Sequence, residues 1–142
     1  MLDNIMNWLK EEKKWYFSKV DNENILVFQL QLKADTIINC VFDVKEEHSI
    51  VLFYSILPQI VPKFQKNKIF KLLHQLNYNL LIGNFEFDSI NNQIRFKTSF
   101  YWTQNLFEKD ILEKNMEANI NMIQYGLPKI NLILGKEIYE NK

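Results

Sequence analysis

The stretch LNYNLLIGNFEFDSINNQIRFKTSF, residues 76–100, reads as a helix end, a glycine stop and a β-hairpin. Asn77 and Asn79 close a helical pattern, and Gly83 can take the positive φ that ends it. Residues 84–88 alternate, with Phe85 and Phe87 on one face. Residues 89–93 are turn-rich. Residues 94–100 alternate again: Ile94, Phe96, Thr98 and Phe100 face one way, Arg95, Lys97 and Ser99 the other.

Upstream of this hairpin, residues 65–81 predict a helix with the stripe Ile69, Leu72, Leu73, Leu76 and Leu80. Pro58 and Pro62 frame the loop before it. Earlier still come extended segments. Residues 15–20 predict a short strand. Residues 25–33 place Leu26, Phe28, Leu30 and Leu32 on one face, and residues 36–45 place Ile38, Cys40, Phe42 and Val44 inward. Residues 49–57 are apolar on both faces, with Ile50, Leu52, Tyr54 and Ile56 opposite Val51, Phe53 and Leu57. Such a strand is either central and covered or carries an interface. The chain starts with an amphipathic helix over residues 3–13, Asp3 as its N-cap and Ile5, Trp8 and Leu9 on its apolar face.

Downstream, Asn105 and Glu108 have capping-box spacing. A last helix carries Leu112, Met116, Ile120, Ile123 and Leu127. Gly126 and Pro128 are expected to break or kink it, and Gly135 to stop it. The fold class is therefore α+β: an antiparallel sheet with helices packed on one face, in the order α-β-β-β-α-β-β-α. Residues 1–135 form a single domain and residues 136–142 a frayed tail.

Charge and composition narrow the function. Lys+Arg and Asp+Glu are both 17, so the net charge is zero. A nucleic-acid binder needs a basic face, and the run Lys10–Lys14 is interrupted by acids, so no nucleic-acid partner is expected. Hydrophobic residues make up 47%, which excludes disorder. No apolar run approaches the roughly 20 residues that span a bilayer. Residues 1–14 lack the apolar centre of a signal peptide, and the single cysteine, Cys40, fits a reducing compartment. A cytoplasmic protein without a membrane partner is expected.

Catalytic apparatus is missing. Cys40 sits between Ile38 and Phe42 with nothing basic beside it, so a buried, inert thiol is expected. His48 and His74 are the only imidazoles, and neither has the spacing of a metal site. Phosphate-loop, serine-hydrolase and zinc-protease motifs are absent. No enzyme, cofactor or metal is expected. Glu86 and Asp88 face Arg95 and Lys97 across the hairpin, where cross-strand ion pairs are the favoured reading. Arg95 is the one polar residue with a second reading, gripping a carboxylate or the carbonyls of a bound segment.

Leu76-Asn77, Gly83, Phe85-x-Phe87-Asp88, a turn, and Ile94-Arg95 resemble the YbjN-domain family. Pro128 followed by spaced aliphatics resembles that family's closing segment, and the order of elements is similar over nearly the whole chain. The resemblance implies a fold similar to class I type III secretion chaperones, small dimers that bind extended segments of client proteins. Two functions follow. The first is a non-enzymatic protein-interaction domain, chaperone-like or regulatory, acting as a homodimer that binds a client protein or peptide. Val51, Phe53, Phe64 and Arg95 are its candidate contacts, with the helix over residues 65–81 or the strand over residues 49–57 at the dimer contact, against the alternative that this strand is monomer core. The second is a small-molecule-binding domain without catalysis, with Tyr78, Tyr101 and Trp102 at its mouth.

Overall fold

A computed structural model of the chain describes residues 1–104 and 106–140. Helix α1 (Leu2–Asn7) continues without a gap as a π-helical turn, Trp8–Lys13. Strands β1 (Ser18–Lys19), β2 (Ile25–Gln31), β3 (Ile37–Lys45) and β4 (Ile50–Ile56) follow. Helix α2 (Lys66–Asn77), the hairpin β5 (Asn84–Asp88) and β6 (Gln93–Tyr101), and helix α3 (Lys109–Glu140) complete the chain. All pairings are antiparallel, and the six strands lie in the order β1-β2-β3-β4-β6-β5.

Alternation decides what each strand buries. Leu26 and Phe28, Ile38 to Val44 at every second position, Val51, Phe53, Phe85, Ile94 and Phe96 point to one face. There they share a core with Ile5, Trp8 and Leu9 of the first helix, Ile69 and Leu73 of α2, and Leu112, Ile123 and Ile130 of α3. All helices therefore stack on one side, giving the two-layer α+β fold expected from the sequence. An aromatic column runs through this core. Trp8 meets Trp15 edge-on at 6.5 Å, Trp15 stacks on Phe28 at 5.6 Å, and Phe28 leads to Phe42 and Phe53, themselves 4.7 Å apart.

The first strand shrinks from residues 15–20 to Ser18–Lys19, and three further boundaries differ from the sequence reading. Helix α1 begins at Leu2, so Asp3 lies in its first turn, where its charge suits the helix dipole, and Met1 is the N-cap. Helix α2 ends at Asn77 because the Asn77 amide is taken up by β5. Its Nδ2 donates to the Phe85 carbonyl (2.9 Å) and its Oδ1 accepts from the Phe85 amide (2.6 Å). Helix α3 runs unbroken through Gly126, Pro128 and Gly135. Pro128 forfeits one backbone bond, but Ile123, Leu127, Ile130 and Leu134 are buried on either side of it and hold the helix down. Gly126 admits the Phe85 ring: a Cβ there would lie 2.7 Å from Phe85 Cζ. The capping box read at Asn105 and Glu108 rests on a residue outside those described, as does the end of the tail at positions 141 and 142.

The hairpin itself has the expected build. The Asp88 carboxylate accepts from the Ile90 amide (2.9 Å), the Asn91 amide and the Asn91 side chain, and Asn92 takes a positive φ of 55°. Gly83 has φ +73°.

Candidate interaction surfaces

The residues that could carry chemistry are dispersed. Cys40 lies wholly inside, and burial pushes its thiol up to about 12, so it stays protonated and non-nucleophilic in the folded protein. His48 sits on an exposed turn beside Glu47, and His74 faces solvent from α2. Among the described residues no three His, Cys, Asp or Glu side chains gather as a metal site would require.

Alternation splits β4 into two roles. Val51 and Phe53, read from sequence as candidate contacts, are fully buried against the helices, so they are core and not contacts. The outward half of the strand, Ile50, Leu52, Tyr54 and Ile56, is only half-covered. It belongs to a sheet face on which none of the described helices packs. Val27, Val41 and Tyr54 sit side by side across three strands of that face. Phe64 is 69% exposed, on the 3-10 turn Lys63–Gln65 that leads into α2 rather than on the sheet.

Arg95 joins the bare face to the hairpin. Its Nε donates to Glu86 Oε1 at 2.9 Å, and its guanidinium lies 4.5 Å from the centre of the Tyr54 ring. Lys97 reaches the other Glu86 oxygen at 2.9 Å. Burial alone would push the Glu86 carboxyl up. The Lys97 hydrogen bond and the charges of Arg95 and Lys97 outweigh that and hold it below the usual carboxylate range. A carboxyl depressed in the folded state stabilises the fold above its unfolded pKa, and this contribution is lost as pH falls through the folded value. Glu86→Gln is therefore expected to lower the urea midpoint at pH 7 and to leave it nearly unchanged at pH 2.5. Equal losses at both pH values would assign the effect to packing.

Beneath the sheet lies a polar chain that the apolar stripes conceal. The Ser55 hydroxyl donates to Asn119 Oδ1. Asn119 Nδ2 in turn reaches the carbonyls of Phe53 and Phe96, each at 3.0 Å, and the Thr98 hydroxyl at 3.1 Å. Thr98 donates to Asn115 Oδ1 at 2.8 Å, and Asn115 Nδ2 donates to the Ser99 carbonyl. All four side chains belong to residues at least nine-tenths buried. The signal in the sequence is Asn115 and Asn119, one turn apart on the stripe of Leu112, Met116 and Ile123.

The third feature is an open edge. Strand β1 pairs with β2 only at Leu26 and Val27, and Val20 adds one bond to the Ile25 carbonyl. Beyond that point the chain diverges. A cleft of about 680 Å³ opens between Trp15, Tyr16 and Phe17 on one side and Val27 and Gln29 on the other. Alternation turns the main-chain groups of Gln29 and Gln31 toward the edge, because Leu26, Phe28 and Leu30 spend theirs on β3. Among the described residues those groups have no strand partner. A smaller pocket of about 200 Å³ is lined by Tyr101 and Trp102 together with Met1 and Phe107, while Tyr78 stands apart and 80% exposed. That volume falls short of the roughly 300 Å³ at which small-molecule sites begin. No helix among the described residues is long and apolar enough to cross a membrane.

No protein-family model matches the chain, and no curated protein matches it. Among solved structures it is similar to YbjN, a candidate transcription regulator from E. coli, with a TM-score of 0.66 and 14% identity over 91% of this chain and 92% of that one. A chain of the ExsC-ExsE complex aligns over 77% of each chain at 10% identity and a TM-score of 0.49, below the level at which a common fold follows. The fold is thus YbjN-like, as the residues around the hairpin indicated.

Proposed function

We propose that this chain, with its YbjN-like fold, is a non-enzymatic protein-interaction domain of the cytoplasm, chaperone-like or regulatory, that works as a homodimer and binds an extended segment of another protein. One observation carries the reading: the cleft beside the unpaired edge of β2. Backbone donors and acceptors at Gln29 and Gln31 repeat at strand spacing, and a polypeptide in extended form satisfies that pattern. Trp15, Tyr16 and Phe17 on the opposite wall offer apolar area for alternate side chains of the added segment.

The test is selection from a random 12-residue peptide library, followed by amide exchange on the bound protein. Selected peptides are expected to protect the Gln29 and Gln31 amides and to lose binding when Trp15→Ala removes the cleft wall. Enrichment of no peptide, or protection confined to other elements, overturns the reading.

A further inference from the structure

We infer that the bare face of the sheet is the self-association surface, packed against the same face of a second copy of this chain. The inference rests on the homodimer reading above and names the surface that reading leaves open.

The first argument is the face itself. Val27, Val41, Ile50, Leu52, Tyr54 and Ile56 belong neither to the core nor to the side chains packed against it. Register places them together: Val27 opposite Val41, Val41 opposite Tyr54, and Ile50 opposite Tyr101 on β6. Ile37 and Tyr101 extend the apolar band at 51% and 72% exposure. The row Val27–Val41–Tyr54 is continuous, while Asp43, Lys45 and Arg95 stand beside Leu52, Ile50 and Ile56, giving an apolar centre set among charges, the make-up of an interface rather than of plain surface.

The second argument is size. Strands about 4.8 Å apart and about seven residues long give the sheet a footprint of roughly 600 Å². A stable interface takes about 800 Å² from each partner. A single extended peptide is one strand wide and covers a small part of this area. Another sheet covers it, as in face-to-face sandwiches about 10 Å thick.

The third argument is charge, and it selects a second copy. The strand charges on this face are Asp43, Lys45, Glu86, Asp88, Arg95 and Lys97, three of each sign. Lys45 pairs with Asp43 at 3.1 Å, and Glu86 is shared by Arg95 and Lys97. Two identical faces therefore meet without net repulsion. The outer side of α2 is the rival surface: it exposes Phe70 and, just past its end, Tyr78, but beside them Lys68 and Lys71 would oppose lysine to lysine in a symmetric pair.

Light scattering coupled to size exclusion reads the outcome. The wild-type chain is expected at twice 17.1 kDa, and Leu52→Lys and Val41→Lys at half the wild-type mass with unchanged far-ultraviolet circular dichroism. Phe64→Lys, away from the sheet, is expected to keep the wild-type mass. A dilution series of the wild-type protein followed by amide chemical shifts removes any dependence on the variants' folding. The shifts that change with dimer dissociation should centre on Val41, Leu52 and Tyr54. A monomeric wild type overturns both the dimer and this surface while leaving peptide binding at the β2 edge intact. A dimer that survives both lysine variants, or whose shifts centre on α2, overturns this surface alone.

Discussion

Leucine in place of Asn119 is expected to lower the unfolding free energy by about 2–5 kcal/mol, from a buried Ser55 hydroxyl left without a partner, at about 1–3 kcal/mol, and from overpacking, at about 1–3 kcal/mol. Leucine keeps the branching of asparagine, but its two methyls are bulkier than the amide, so the loss combines lost polarity with overpacking of a closed site. The Ser55 hydroxyl loses its acceptor, while the ladder carbonyls of Phe53 and Phe96 lose one donor each and the Thr98 hydroxyl keeps its bond to Asn115. No water reaches them, because Ser55 and Asn119 are 0% exposed and Thr98 is 1% exposed. Urea denaturation followed by circular dichroism measures the effect. Repeating Asn119→Leu in a Ser55→Ala background should cost at least about 1 kcal/mol less, because the stranded hydroxyl is then gone. A loss below about 1 kcal/mol in the wild-type background would show that the chain of hydrogen bonds does not hold α3 on the sheet.

Alanine at position 83 is the second large effect, about 3 kcal/mol of destabilisation. The backbone at Gly83 has φ +73°, a region that costs an L-residue about 1–2 kcal/mol. Space adds to it. A Cβ would lie 2.6 Å from the Lys97 carbonyl oxygen, 2.7 Å from the Phe96 ring and 2.8 Å from Thr98 Cγ2. The carbonyl belongs to β6, next to the polar chain, so relief requires the hairpin to move, at a further cost of about 1–3 kcal/mol. Gly135→Ala is the matched control. Its Cβ meets nothing closer than Asn131 Cβ at 3.9 Å, and alanine in a helix gains up to about 1 kcal/mol over glycine. Similar melting temperatures for the two variants would refute this account of Gly83.

The contrast between these glycines shows what the sequence made legible. Gly83 was readable because a helical stripe ended before it and a strand pattern began after it, and β5 spans Asn84–Asp88 as that pattern required. Pro128 was read as a break or kink and Gly135 as a stop by the same kind of local rule, and α3 passes through both. A proline inside a helix costs about 3 kcal/mol, a sum that the burial of Ile130 and Leu134 beyond it can exceed. Local chemistry marked the positions, and tertiary packing chose between breaking and continuing.

Val51 and Phe53, read as candidate contacts, lie in the core for a reason that short-range patterning does not show. Period-two alternation sorts β4 into two faces without saying which lies inside. Ser55 shares the parity of Val51 and Phe53, so the buried half of the strand looks the more polar of the two. Its hydroxyl is hidden only because Asn119, far along the chain, arrives to accept its proton. Arg95, by contrast, lies two rungs from the hairpin turn, and its pairing with Glu86 follows from short-range register.

The hold of Asn77 on β5 has a consequence for how copies of this chain can join. A sheet that grows by adding identical units edge to edge needs a free strand at both ends, one to give and one to receive. Here the ends are unequal. β5 is five residues long, and one of its outward backbone positions, Phe85, is already occupied by the Asn77 amide. With Phe85 taken, that terminus offers an end-to-end array a poorer socket than the β2 edge does. Strand addition is thereby favoured at the β2 edge over the β5 edge, where a single side chain at the end of a helix already holds Phe85.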